Sequence, residues 1–61
     1  MLTNREKQVL ALMLEGQSNG EIAQQLQLTP QTVRNYVHHI YQKFQVSSRA
    51  ELLLATDRIP Q

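Results

Sequence analysis

The pattern Ser/Thr-x-x-Glu occurs three times in this 61-residue chain, as Thr3-Asn4-Arg5-Glu6, Ser18-Asn19-Gly20-Glu21 and Ser48-Arg49-Ala50-Glu51. Each copy precedes an apolar periodic segment. In such a capping box the hydroxyl accepts from an orphan N–H of the first helical turn, and the Glu reaches back to the cap residue. Thr29-Pro30 marks a fourth start, because Thr is a good N-cap and Pro at the first helical position loses no hydrogen bond. Four starts this close together allow only short helices and tight connections. Helix 1 is expected over roughly Asn4 to Glu15, with Gly16 as a left-handed C-terminal cap. Helix 2 runs roughly from Asn19 to Leu26, and helix 3 from Pro30 to a fraying end near Phe44 or Gln45. Helix 4 runs roughly from Arg49 to Asp57, ahead of Pro60. No strand alternation and no hairpin dipeptide interrupts them. The expected fold is all-α, a compact four-helix domain over residues 1–61.

A core of this size is marginal but feasible for packed helices. The chain has no cysteine, so no disulfide or thiolate metal site can staple it, a composition that fits a reducing compartment. The core must come from Val9, Leu10 and Met13 of helix 1 with Leu2 near its start, Ile22, Ala23 and Leu26 of helix 2, Leu28 of the connection, and Val46 before helix 4. Helix 3 adds Val33, Val37, Ile40 and Phe44, which fall in one stripe at 3.6 residues per turn. Leu28 and Val33 flank the cap as a hydrophobic staple. Each fully buried aliphatic contributes about 1.5–3 kcal/mol before chain entropy is charged. Leu52, Leu53 and Leu54 are consecutive and point about 100° apart, so one core cannot take all three. They are the candidate dimerisation residues, a symmetric dimer being the commonest kind of partner surface.

The other side of helix 3 carries Gln31, Arg34, Asn35, His38 and Gln42 and no acid. Between Glu21 and Glu51 there is no acidic residue at all, while Arg34, Lys43, Arg49, His38 and His39 lie there. The formal net charge of only +1 means that a basic face sits on a nearly neutral domain. Helices 2 and 3 are separated only by about Gln27 to Thr29, so they must cross steeply, with Ala23 allowing close approach. This is a helix-turn-helix over about residues 17–36, whose recognition helix, about 30–44, would enter a DNA major groove by its N-terminal turns.

The run Leu2-Thr3-x-Arg5-Glu6-x-x-Val9-Leu10, then Gly16-x-Ser18-Asn19-x-Glu21-Ile22-Ala23-x-x-Leu26, then Thr32-Val33-Arg34, Ile40-x-x-Lys43 and Val46-x-Ser48-Arg49 resembles the LuxR-type (GerE, NarL, FixJ) DNA-binding domain. The resemblance spans nearly the whole chain. It implies that the third helix reads DNA and the fourth mediates dimerisation on DNA. It further implies the output module of a bacterial transcriptional regulator, of response-regulator or quorum-sensing type. Such a module commonly follows an N-terminal receiver or sensor domain and works with RNA polymerase. Three positions depart from the family pattern. Gly20 stands where Lys is common, which removes a cation and costs helix 2 up to about 1 kcal/mol of propensity. Tyr36 replaces the usual His, and Phe44 the usual Leu.

Arg34, Asn35, His38 and Gln31 are the base-contact candidates. Arg34 can pair bidentately with guanine O6 and N7, and Asn35 with adenine N6 and N7. Thr32, Lys43, His39 and Asn19 are the phosphate-contact candidates; Thr32 and Lys43 are assigned by resemblance, and Asn19 because a helix N-terminus attracts phosphate oxygens. Arg5 and Glu6 read as fold residues, with a salt bridge from one of them to a later helix. Arg49 reads as structural, and Tyr36 as a packing residue beside the apolar stripe rather than a base-stacking aromatic. His38 and His39 are adjacent and diverge on a helix, so they are not a metal pair. No phosphate-binding loop and no nucleophile with a placed base is present, so neither catalysis, cofactor nor metal is expected. No apolar run approaches a membrane span, and the N-terminal residues do not read as a signal peptide, so none is expected. The expected setting is the bacterial cytoplasm, at the nucleoid. The alternative is a protein–protein module that has kept the fold and lost its DNA affinity, which near-neutral charge and Gly20 would allow.

Overall fold

The computed structural model describes residues 2–57 and contains four helices: α1 (Asn4–Leu14), α2 (Asn19–Leu26), α3 (Pro30–Phe44) and α4 (Arg49–Asp57). No strand occurs among the described residues, and no helix there is long and apolar enough to cross a membrane. Pro60, expected to follow the last helix, lies outside the described residues.

The starts form as their local chemistry dictates. Thr3 Oγ1 accepts from the Glu6 N–H at 3.2 Å while Glu6 Oε1 accepts from the Thr3 N–H at 2.8 Å. Ser18 and Glu21 repeat this box at the same two distances, 3.2 and 2.8 Å. Thr29 Oγ1 accepts from the Thr32 N–H at 3.1 Å, with Pro30 opening α3. The third box is only half formed. Ser48 Oγ accepts from the Glu51 N–H, but the Glu51 carboxylate reaches one residue further back, to the N–H and hydroxyl of Ser47.

The first three helices end alike. Gly16 (φ 91°), Gln27 (φ 58°) and Gln45 (φ 56°) are left-handed. The N–H groups that follow them donate five residues back: Gln17 to the Leu12 carbonyl at 3.2 Å, Leu28 to Ala23 at 2.8 Å and Val46 to Tyr41 at 3.0 Å. This is the Schellman pattern, which satisfies carbonyls the helix leaves unpaired. Glycine at position 16 takes it without strain. At Gln27 and Gln45 the left-handed turn costs about 1–2 kcal/mol, which the packing on either side must offset. The gain at Gln27 is the abrupt reversal that lays α3 against α2.

α3 is the hub, packing against α1, α2 and α4. Its stripe of Val33, Val37 and Ile40 is buried with Val9, Leu12, Met13, Ile22, Ala23 and Leu52. Phe44, Leu26, Leu28, Val46, Leu2 and Leu10 pack around them half-buried. Two expectations need correction. Leu10 is only partly covered and Leu12, not named from periodicity, is in the core. Leu52 is fully buried within the single chain, so it is withdrawn from the dimerisation set. Leu53 and Leu54 remain exposed, 42% and 64% respectively.

Two long side chains tie the ends of helices together. Lys43 Nζ, in the last turn of α3, donates to Glu6 Oε1 at 2.8 Å, and Glu6 is only 4% exposed. Arg49 Nη2 donates at 2.7 Å to the carbonyls of both Met13 and Gln17, supplying the positive charge that α1 lacks in its own last turn. Both bear out the structural readings of Glu6 and Arg49.

The Lys43 ammonium and then the Thr3 N–H hold the Glu6 carboxyl at about 2, well below its ordinary 4.5. A carboxyl depressed in the folded state stabilises the fold above its unfolded value, and that contribution is lost as pH falls toward the folded value. Thermal melts should therefore show a falling midpoint between about pH 4.5 and 2, and Glu6→Gln should flatten that fall. Glu21, lowered by the Ser18 N–H, acts in the same direction and keeps the variant from being fully flat. A variant profile as steep as the unmodified one would remove Glu6 from the acid response.

Candidate nucleic-acid interface

Because Val33, Val37 and Ile40 are buried, the opposite face of α3 is forced outward. Gln31, Arg34, Asn35, His38 and His39 are all exposed. Arg34 makes no ion pair among the described residues, so its guanidinium keeps its donors for an incoming acceptor. Gln31 Nε2 donates to Asn35 Oδ1 at 3.2 Å. That bond orients the Asn35 amide and leaves its NH2 and one oxygen lone pair available, the two groups an adenine edge requires. The rings of His38 and His39 stand 6.4 Å apart and tilted by 47°, diverging as neighbours on a helix should.

The four base-contact candidates therefore share one face. Of the phosphate candidates, Thr32, His39 and Lys43 lie along one flank of α3, while Asn19 lies on α2. Thr32 and His39 lie together along the flank of α3 and line a shallow open groove with Asn35 and Tyr36. The Thr32 hydroxyl is hydrogen-bonded to that of Thr29 at 2.8 Å. Lys43 is further along α3, with 38% of its side chain exposed and its ammonium engaged by Glu6. Asn19 is the first residue of α2, half-buried beside the Ser18 cap.

Sequence reasoning missed two features. The first is the partner in the salt bridge expected from Arg5 or Glu6: it is Lys43, which ties Glu6 to the end of α3 opposite its candidate base-contact start. The two residues are 37 apart, and nothing local announces the pair. The second is that Tyr36, though packed on the core as expected, also lines the groove. Its spacing from Thr32 and His39, four residues after one and three before the other, carried that information. Among the described residues no group of His, Cys, Asp and Glu could hold a metal ion.

Residues 1–56 match the GerE family, described as bacterial regulatory proteins of the luxR family. The transcriptional regulatory protein DesR of Bacillus subtilis (strain 168) is 46% identical over 52 residues, covering 85% of this chain and 26% of DesR. The HTH-type transcriptional regulator MalT of Vibrio campbellii (strain ATCC BAA-1116) is 37% identical over 60 residues, covering 98% of this chain and 7% of that protein. MalT of Yersinia pestis (strain Pestoides F) is 38% identical over the same length, with the same coverage. The chain thus spans about a quarter of DesR or less than a tenth of MalT. No solved structure gives a significant match. Buried stripe, tight α2–α3 turn and matching family motifs agree, and the chain belongs to the luxR family of bacterial regulatory proteins.

Proposed function

We propose that this domain binds double-stranded DNA sequence-specifically, as the output module of a bacterial transcriptional regulator. The observation that carries this reading is the acid-free outer face of α3, with Arg34, Asn35, His38 and Gln31 all exposed beside the tight turn from α2. In a major groove Arg34 and Asn35 would read base edges, His38 and Gln31 would assist, and Thr32, His39, Lys43 and Asn19 would face the phosphates. Lys43 would then be held by Glu6 on one side while approaching a phosphate on the other. Two copies would occupy paired half-sites, meeting through Leu53 and Leu54 of α4, which have no place in the core of one chain. A receiver or sensor domain ahead of this one, RNA polymerase as the downstream partner, and a cytoplasmic, non-enzymatic role complete the proposal. The transcriptional-regulator reading draws on the names of DesR, a transcriptional regulatory protein, and MalT, an HTH-type transcriptional regulator.

Titration into duplex DNA across a salt series tests it. Log affinity should fall linearly with log salt, by about 0.9 for each phosphate neutralised. A duplex selected from a random pool should bind more tightly than an unrelated one at every salt concentration. Absence of binding at low salt would leave a protein–protein module as the reading.

A further inference from the structure

Thr32, Tyr36, His39 and Lys43 recur along α3 at spacings of four, three and four residues. At about 100° per residue they fall within an arc of about 60°, a single flank between the base-reading face and the buried stripe. Three of the four already stand as phosphate candidates. The fourth differs in character. Tyr36 packs half-buried against the core cluster and also lines the open groove shared with Thr32, Asn35 and His39. No described residue hydrogen-bonds its hydroxyl. No buried, unpaired side-chain polar atom exists among the described residues either, so that hydroxyl is open to solvent. The ring is thus fixed by apolar packing while the polar tip emerges where the helix flank would meet a nucleic-acid backbone.

We infer that the Tyr36 hydroxyl donates a hydrogen bond to a DNA phosphate oxygen, between the contacts made by Thr32 and His39. This rests on the DNA-binding reading above and deepens it. Two physical features set Tyr36 apart from a surface lysine in that role. The ring is already ordered by its packing, so little side-chain entropy is lost on binding. The donor is neutral, so it strengthens the complex without releasing a counterion. The contact carries no base information, because phosphates are common to every sequence.

Tyr36→Phe removes the hydroxyl and keeps the ring. The variant should melt as the unmodified domain does, which separates lost contact from lost fold. Its affinity should fall about 10- to 150-fold, the worth of one hydrogen bond to a charged acceptor. The fall should be equal for a selected duplex and an unrelated one, and the slope of log affinity against log salt should stay unchanged. An unaltered affinity, a loss confined to one sequence, or a shallower slope would overturn the assignment. If the unmodified domain binds no duplex at all, the DNA-binding reading fails first and this inference with it. If it binds and Tyr36→Phe binds equally well, the inference alone fails.

Discussion

Leu52→Ala should strongly destabilise the fold, while Leu54→Ala should leave the domain as stable as before. The two residues are neighbours but one on from each other along α4, of the same type, and differ only in the direction they face. Leu52 is fully buried among Val9, Met13, Ile40 and the rest of the core, whereas Leu54 is 64% exposed. Truncating a buried leucine costs about 2–5 kcal/mol, the transfer term plus the cavity left behind. A domain of 61 residues has a total stability of about 3–9 kcal/mol at typical values per residue. The change at position 52 therefore removes from about a fifth to all of the available stability, and the change at 54 stays within about 0.5 kcal/mol. Urea denaturation followed by helical circular dichroism measures both. Equal midpoints for the two variants would mean that α4 does not dock through Leu52.

That contrast also shows what the sequence could and could not reveal. Three adjacent leucines cannot all enter one core, and this follows from helix geometry alone. Which of them enters depends on how α4 is rotated against α3, and Arg49 helps to set that rotation through its bonds to Met13 and Gln17. Those partners are 36 and 32 residues away, beyond any local pattern. The same limit explains Leu10 and Leu12. The run from Leu10 to Leu14 is apolar on every side, so periodicity offers several faces and contact with α3 selects the one containing Leu12. Helix starts, by contrast, were readable to the residue, because a cap hydroxyl and the carboxylate three positions on satisfy each other locally. Where Glu51 departed from the pattern, the competing donor was the immediate neighbour of the expected one: the N–H of Ser47 in place of that of Ser48. The outward placement of the acid-free face of α3 was legible for a related reason. A stripe that must be buried leaves its opposite no choice but to face out. Tyr36 lies at the border of the two, where a residue type that is half apolar serves both, and there a sequence gives no single answer.

Arg34→Ala should weaken binding to a selected duplex by about 1–3 kcal/mol, roughly 5- to 150-fold, and relax preference at one base pair. The fold should not register the change, since Arg34 is exposed and has no ion-pair partner among the described residues. A loss of affinity alone would not separate a base contact from a phosphate contact, because either would be weakened by removing a cation. Arg34→Lys separates them. Lysine restores the charge, and with it the phosphate attraction, but its single ammonium cannot span guanine O6 and N7 as a planar guanidinium does. If Arg34 reads a base, the lysine variant recovers affinity for unrelated DNA and the salt slope, yet leaves discrimination at that base pair degraded. If Arg34 only neutralises a phosphate, lysine restores binding to every duplex alike. Binding selections with the unmodified, alanine and lysine forms would show which, and full recovery by lysine would remove Arg34 from the base-reading set.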